Sequence, residues 1–175
     1  MVEVAVMTSH IAIMSHKSLL DKIFAGEKTI ESRFSRVKSA PFGQIAAGDQ
    51  VFFKLSGGPV LGYARVSRVE EYDNLTPSLI VDLTTRYRQE LALSEDFLAR
   101  KLESKFASLL FLAEVTASEP WSYKQDGRSG WIVLSPADAR KFARQFAAIP
   151  LVSVNNQEDT AESAPPGNNL RMTGL

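Results

Sequence analysis

Gly26-Glu27-Lys28-Thr29-Ile30-Glu31-Ser32-Arg33 is the stretch on which the reading of this 175-residue chain turns. Just upstream, Leu19, Leu20, Ile23 and Phe24 recur at helical spacing, and Ser15 or Ser18 stands where an N-cap belongs. Gly26 then occupies the position after the helix where a left-handed residue ends it. Residues 28–34 alternate as a strand, with Thr29, Glu31 and Arg33 on one face and Lys28, Ile30, Ser32 and Phe34 on the other. The stretch is therefore a helix-turn-strand corner rich in charge.

The residue types at that corner have a definite chemistry. Glu31 and Arg33 lie two apart on one strand face, close enough to pair or to act side by side. An arginine fork holds a phosphate or the acceptor edge of a base, and a carboxylate accepts from an exocyclic amine. Lys28 follows the turn, where its stem can bend into a cleft and meet phosphate; desolvated there, it becomes a candidate base. The competing structural reading is a Glu31–Arg33 ion pair that pins the corner. Thr29 offers a hydroxyl beside Lys28 but reads better as an ordinary β-branched strand residue.

Outward from the corner, His10-Ile-Ala-Ile-Met14 reads as a buried strand. Gly48-Asp49 is a turn into a strand over 50–55, and Ser56-Gly57-Gly58-Pro59 closes a hairpin onto a long strand over 60–69. Thr76-Pro77 opens a helix to about Leu91, and Ser94-Glu95-Asp96 opens another to about Lys105. An apolar strand is expected over 106–116, a polar loop over 121–130, a short strand over 131–134 and a helix from Pro136 to Ala148. Adjacent short strands joined by hairpin turns, without regular β-α alternation, predict an α+β chain with a mainly β core. The expected form is a small, mostly antiparallel twisted barrel with inserted and flanking helices. The expected organisation is an extension or extra strand over 1–9, one domain over 10–150 and a disordered tail over 151–175, which is polar and holds Pro-Pro, Gly and Asn-Asn.

Composition narrows the function classes. The chain has no cysteine and only His10 and His16, so thiolate metal sites, disulfides and all-histidine zinc sites are excluded; no metal and no cofactor are expected. No apolar run suffices to span a bilayer and the start lacks a basic secretory leader, so a cytoplasmic protein with no membrane partner is expected. Lys plus Arg and Asp plus Glu are 20 each, so any nucleic-acid surface must be local rather than a general basic coat. Residues 10–38 carry a net +3, residues 70–96 a net −5 and residues 97–150 a net +3. The acidic stretch reads as solvated helix faces, and the first basic one surrounds the corner.

The eight-residue stretch resembles the G-x-K-x-x-E-x-R signature of ASCH domains, a branch of the PUA-like superfamily of small β-barrels. The likeness extends through His10–Met14, Gly48-Asp49-Gln50-Val51, Gly62-Tyr63-Ala64 and Gly130-Trp131-Ile132, in the same order, and so covers about residues 10 to 148. It implies a cleft beside the helix that precedes the motif, in which members of the family bind RNA or modified nucleosides, and some small members hydrolyse N4-acetylcytidine or cleave RNA. Those acetylcytidine hydrolases look like K-T-x-T at this point, with the second threonine as nucleophile. This chain departs from that pattern, because Glu31 stands there and a carboxylate attacks an amide poorly. Their catalytic glutamate lies in the helical insertion, where Glu90 is the nearest counterpart.

Three functions are thus expected, in this order: an RNA- or nucleotide-binding module, a hydrolase acting on a modified nucleoside or on RNA, and a protein-interaction adaptor. The binding residues expected are Lys28, Glu31 and Arg33, with Trp121 and Arg128 from the late loop, where aromatics beside arginine can stack an unpaired base. The catalytic candidates, should there be turnover, are Lys28, Glu31 and Glu90. Trp131 reads as core, and His10 and His16 as bland strand-end and helix-start residues.

Overall fold

Two long strands form the spine of the sheet. In the computed structural model, which describes residues 6–147, β4 (Val60–Tyr72) and β5 (Phe106–Trp121) pair antiparallel along most of their length. The other strands are β1 (Ser9–Met14), β2 (Ile30–Ser35), β3 (Gln50–Leu55) and β6 (Trp131–Val133), and the sheet order is β2-β5-β4-β3-β1-β6. Pairings are antiparallel except β1 with β3, which run parallel. The helices are α1 (Lys17–Phe24), α2 (Pro77–Arg86), α3 (Arg88–Leu91), α4 (Glu95–Lys101) and α5 (Pro136–Ala147). The expected α+β fold with a twisted β core is the fold observed, curled into a half-barrel whose β2 edge faces its β1 and β6 edge. Register shifts along β4–β5, and Glu114 at a φ of 51°, supply the bulges that such curling needs.

Burial explains why β1 and β3 read as continuous apolar runs. Ala12, Met14, Val51 and Phe53 point inward, against Leu20 and Ile23 of α1 and against Trp131. Ile11, Ile13 and Phe52 point to the other face, where Phe142 and Phe146 of α5 cover them. A third cluster seats the α2–α4 insertion on β2 and β5 through Ile30, Phe34, Ile80, Leu83 and Leu109. Each cluster buries enough apolar surface to hold its element, at roughly 1.5–3 kcal/mol for each large side chain.

The corner folds as its residues dictate. Gly26 has a φ of +76°, and its amide and that of Glu27 donate to the carbonyls of Ile23 and Lys22, closing the end of α1. Pro77 sits in the first turn of α2, and Thr76 accepts from the amide of Leu79. Several boundaries differ from the sequence expectation: the helix opened by Ser94 ends at Lys101 rather than near Lys105, the strand expected over 60–69 runs to Tyr72, and three further differences have a visible cause or consequence. The helix expected to run to Leu91 breaks at Tyr87, whose ring packs edge-on against Phe111 and whose hydroxyl donates to Glu70 at 2.9 Å. The strand expected to end near Thr116 continues to Trp121, with Pro120 inside it. Proline is tolerated there because β2 pairs with β5 only as far as Phe111, so the far half of β5 is an edge. The strand after the turn begins at Ile30 rather than at Lys28. The disordered tail expected over 151–175 lies outside the described residues, as do residues 1–5.

Candidate nucleic-acid interface

Because β2 begins at Ile30, strict alternation does not apply to Lys28, and its side chain turns back onto the Glu31 face. Lys28 is buried, with 1% of its surface exposed, and its Nζ donates to the carbonyls of Ile30 at 2.8 Å and Leu91 at 2.7 Å. It stands 3.7 Å from Glu31 Oε2, while Glu31 Oε1 is 3.0 Å from Arg33 Nε. The structure therefore brings Lys28, Glu31 and Arg33 together, with the buried carboxylate between the two cations. Burial pushes the Lys28 ammonium below its usual range and the Glu31 carboxylate pulls it back up. Its ties to two carbonyls make Lys28 the clasp between the motif and the end of α3, and occupy donors that the sequence reading has meeting phosphate.

Arg33 closes the half-barrel. Its Nη1 donates to the carbonyl of Gly130 at 3.0 Å and its Nη2 to that of Ile13 at 3.2 Å, and its guanidinium lies 5.2 Å from the centre of the Trp131 ring. The Nε–H points away from a linear bond to Glu31, so that contact is an ion pair. Much of the fork expected to read a base edge is thus spent on backbone carbonyls, and what Arg33 offers a ligand is its charge and its remaining N–H groups.

A cleft of about 360 Å³ opens over this floor, between β1, β2 and α4. Its wall includes His16 at the start of α1, which the sequence reading sets aside as a bland helix-start residue, and Phe97, Arg100 and Lys101 on α4, which sequence reasoning did not single out. Lys101 lies 5.2 Å from the Phe97 ring centre, and burial together with the charges of Arg33 and Arg100 lowers its pKa. Among the described residues that line it, Lys28, Arg33, Arg100 and Lys101 face Glu31 as the sole acid, so the cleft is cationic with a carboxylate at its floor. The sequence signal for α4 was present as an Arg-Lys pair ending a short helix, but only the fold turns that helix over the motif.

The remaining expected residues are placed elsewhere. Trp121 is not at the cleft: it packs edge-on against Phe142 at 4.5 Å and Phe146 at 5.8 Å, because the extension of β5 carries it under α5. Arg128 lines a second cavity on the other side of Arg33. Glu90 lies outside the cleft lining, and its backbone carbonyl accepts from the amide of Thr29 at 3.0 Å. Trp131 is core, as expected, and His10 is far from bland. Its Nε2 meets Asp49 Oδ2 at 3.0 Å and its Nδ1 accepts from the Trp131 indole N–H at 3.1 Å. Indole is only a donor, so Nδ1 carries no proton and the neutral ring donates through Nε2. This buried Asp49–His10–Trp131 chain fixes the ring on which Arg33 rests. Among the described residues no group of three His, Asp or Glu side chains stands together as a metal site, and no helix is long and apolar enough to cross a membrane.

No family profile and no curated protein matches the chain. Solved structures do. ASCH from Zymomonas mobilis superposes with a TM-score of 0.60 at 19% identity, over 78% of this chain and 94% of that one. A tyrosine-to-phenylalanine variant of the same protein gives 0.61 at 18% identity, over 78% of this chain and 96% of that one. The N-terminal domain of Staphylothermus marinus McrB gives 0.51 at 16% identity, over 78% and 93%. This chain shares its fold with these ASCH structures.

Proposed function

We propose that the chain is an RNA- or nucleotide-binding module that receives one nucleoside in the cleft over Lys28, Glu31 and Arg33. One observation carries this: a buried carboxylate forms part of the floor of a cleft that is otherwise cationic. A base with an exocyclic amine donates to Glu31, while sugar and phosphate face Arg100 and Lys101 at the rim. Phe97 offers an aromatic surface for stacking. The volume lies at the low end of ligand pockets, about 300–1,000 Å³, which suits a single nucleoside. The fold shared with ASCH domains is compatible with such a partner.

Hydrolysis is the weaker reading. Thr29 is exposed and does not line the cleft, and the Lys28 Nζ is already tied to the carbonyls of Ile30 and Leu91 instead of being presented to a substrate. The binding reading is tested by fluorescence anisotropy with labelled six-nucleotide A, C and U homopolymers. The A and C strands should bind more tightly than U, which lacks an exocyclic amine, by about 1–3 kcal/mol. Glu31→Gln should erase that preference, and Phe97→Ala should weaken all three. Equal binding of the three strands by the wild-type protein, or no binding at all, refutes it.

A further inference from the structure

On the far side of Arg33 a larger cavity, about 930 Å³, runs between the β3–β4 turn and the loop before β6. It shares Ile13, Ser15 and Arg33 with the nucleoside cleft, so the two form one groove divided by the Arg33 side chain. Its lining carries Arg33, Lys54, Lys124 and Arg128 and, among the described residues, no acidic one.

Lys54 is the telling residue. It is 4% exposed and sits on β3 opposite Ile13. A lysine ammonium has three donors and is expensive to bury without a counter-charge. Lys54 Nζ donates one hydrogen bond, to the carbonyl of Leu55 at 3.0 Å, and among the described residues it forms no ion pair. Lys28, a buried lysine on the motif, has Glu31 beside it. A buried cation without a carboxylate, lining a cavity with three further cations, is built to meet an anion.

We propose that this cavity is a phosphate subsite that takes the next backbone phosphate of the strand whose base occupies the cleft. The ligand is then a nucleotide within single-stranded RNA, not a free nucleoside. This rests on the binding reading above and adds the second half of the groove. Lys54 neutralises the phosphate from below, Arg128 and Lys124 from the loop, and Tyr123 lines the same wall as a surface for the neighbouring base.

Two measurements test it. In an NMR titration with inorganic pyrophosphate, the amides of Gly57, Gly58 and Ser129 should shift, and Lys54→Met should suppress the shift. In anisotropy with the labelled C hexamer, Lys54→Met should weaken binding about tenfold and lower the slope of log affinity against log salt by about 0.7, the loss of one phosphate contact on a single strand. Arg128→Ala, on an exposed residue, should lower that slope in the same way and guards against a folding defect in the buried variant. Calorimetry with free cytidine should give the same affinity for wild type and Lys54→Met. Unchanged hexamer binding by both variants, while Phe97→Ala weakens it, overturns the subsite and leaves the cleft reading standing. Pyrophosphate shifts in a protein that binds no hexamer overturn the assignment to RNA together with that reading.

Discussion

The guanidinium of Arg33 and the carbonyl of Gly130, 97 positions apart in the chain, are joined by a hydrogen bond of 3.0 Å. The same carbonyl accepts the amide of Ile13 at 3.0 Å. One motif side chain on β2 thus ties the open edge of the sheet to β1 and to the loop before β6. The residue that divides the groove is also the residue that shuts the half-barrel, so its substitution acts on binding and on stability together.

Arg33→Ala should lower stability by about 1.5–3 kcal/mol, the range for hydrogen bonds to a charged group, and should weaken hexamer binding. Arg33→Lys keeps the charge but cannot span two carbonyls with a planar fork, so it should recover part of the binding and little of the stability. Thermal melts and anisotropy on the same preparations separate the two effects; a melt of Arg33→Ala matching wild type would show that the edge closes without it.

Lys28→Ala should be more damaging still. It strips two buried carbonyls of their donor and leaves Glu31 with Arg33 as its remaining charge partner. Removing one member of a buried pair costs about 3–5 kcal/mol. Urea denaturation should show a lower midpoint with an unchanged slope, and a loss under 1 kcal/mol would return Lys28 to the role of a free ligand contact.

Acid should loosen the Arg33 platform through His10. Burial lowers the His10 pKa below its ordinary 6.5, against the opposing pull of Asp49. The unfolded chain therefore binds a proton that the folded chain refuses, and stability rises with pH in that range. The contribution is complete above about pH 6.5 and is lost as pH falls from there toward the lowered folded value. Melting at pH 7.5 and 5.5 should show a larger fall for wild type than for His10→Gln, which carries no titrating ring.

Two glycines should respond to a methyl group for different reasons. Gly26→Ala meets no neighbour within 4 Å, yet a φ of +76° should cost on the order of 1 kcal/mol. At Gly62 the added Cβ would lie 2.3 Å from the Thr116 carbonyl oxygen and 2.6 Å from the Phe24 ring. Gly62→Ala should therefore cost about 1–3 kcal/mol or more, by forcing β4 away from β5 and α1. Chemical denaturation of the two variants side by side should rank Gly62→Ala as the worse.

Local order was legible in the sequence because it rests on short-range physics. The amphipathic spacing of α1, the left-handed Gly26, the Thr76-Pro77 and Ser94 helix starts and the apolar runs of β1 and β3 each follow from a few neighbouring residues. The pairing of Glu31 with Arg33 was readable for the same reason, being set by the two-residue repeat of a strand. The tertiary structure decided what those charges face. Lys28 lies two residues before the strand and meets a carbonyl 63 positions away; Trp121 is carried under α5; His10 is locked between Asp49 and Trp131. Arg100 and Lys101 reach the cleft, and Lys54 its own cavity, through packing of the α2–α4 insertion and the parallel pairing of β1 with β3. Such contacts depend on burial and sheet order across the whole chain, and no local pattern of residues encodes them.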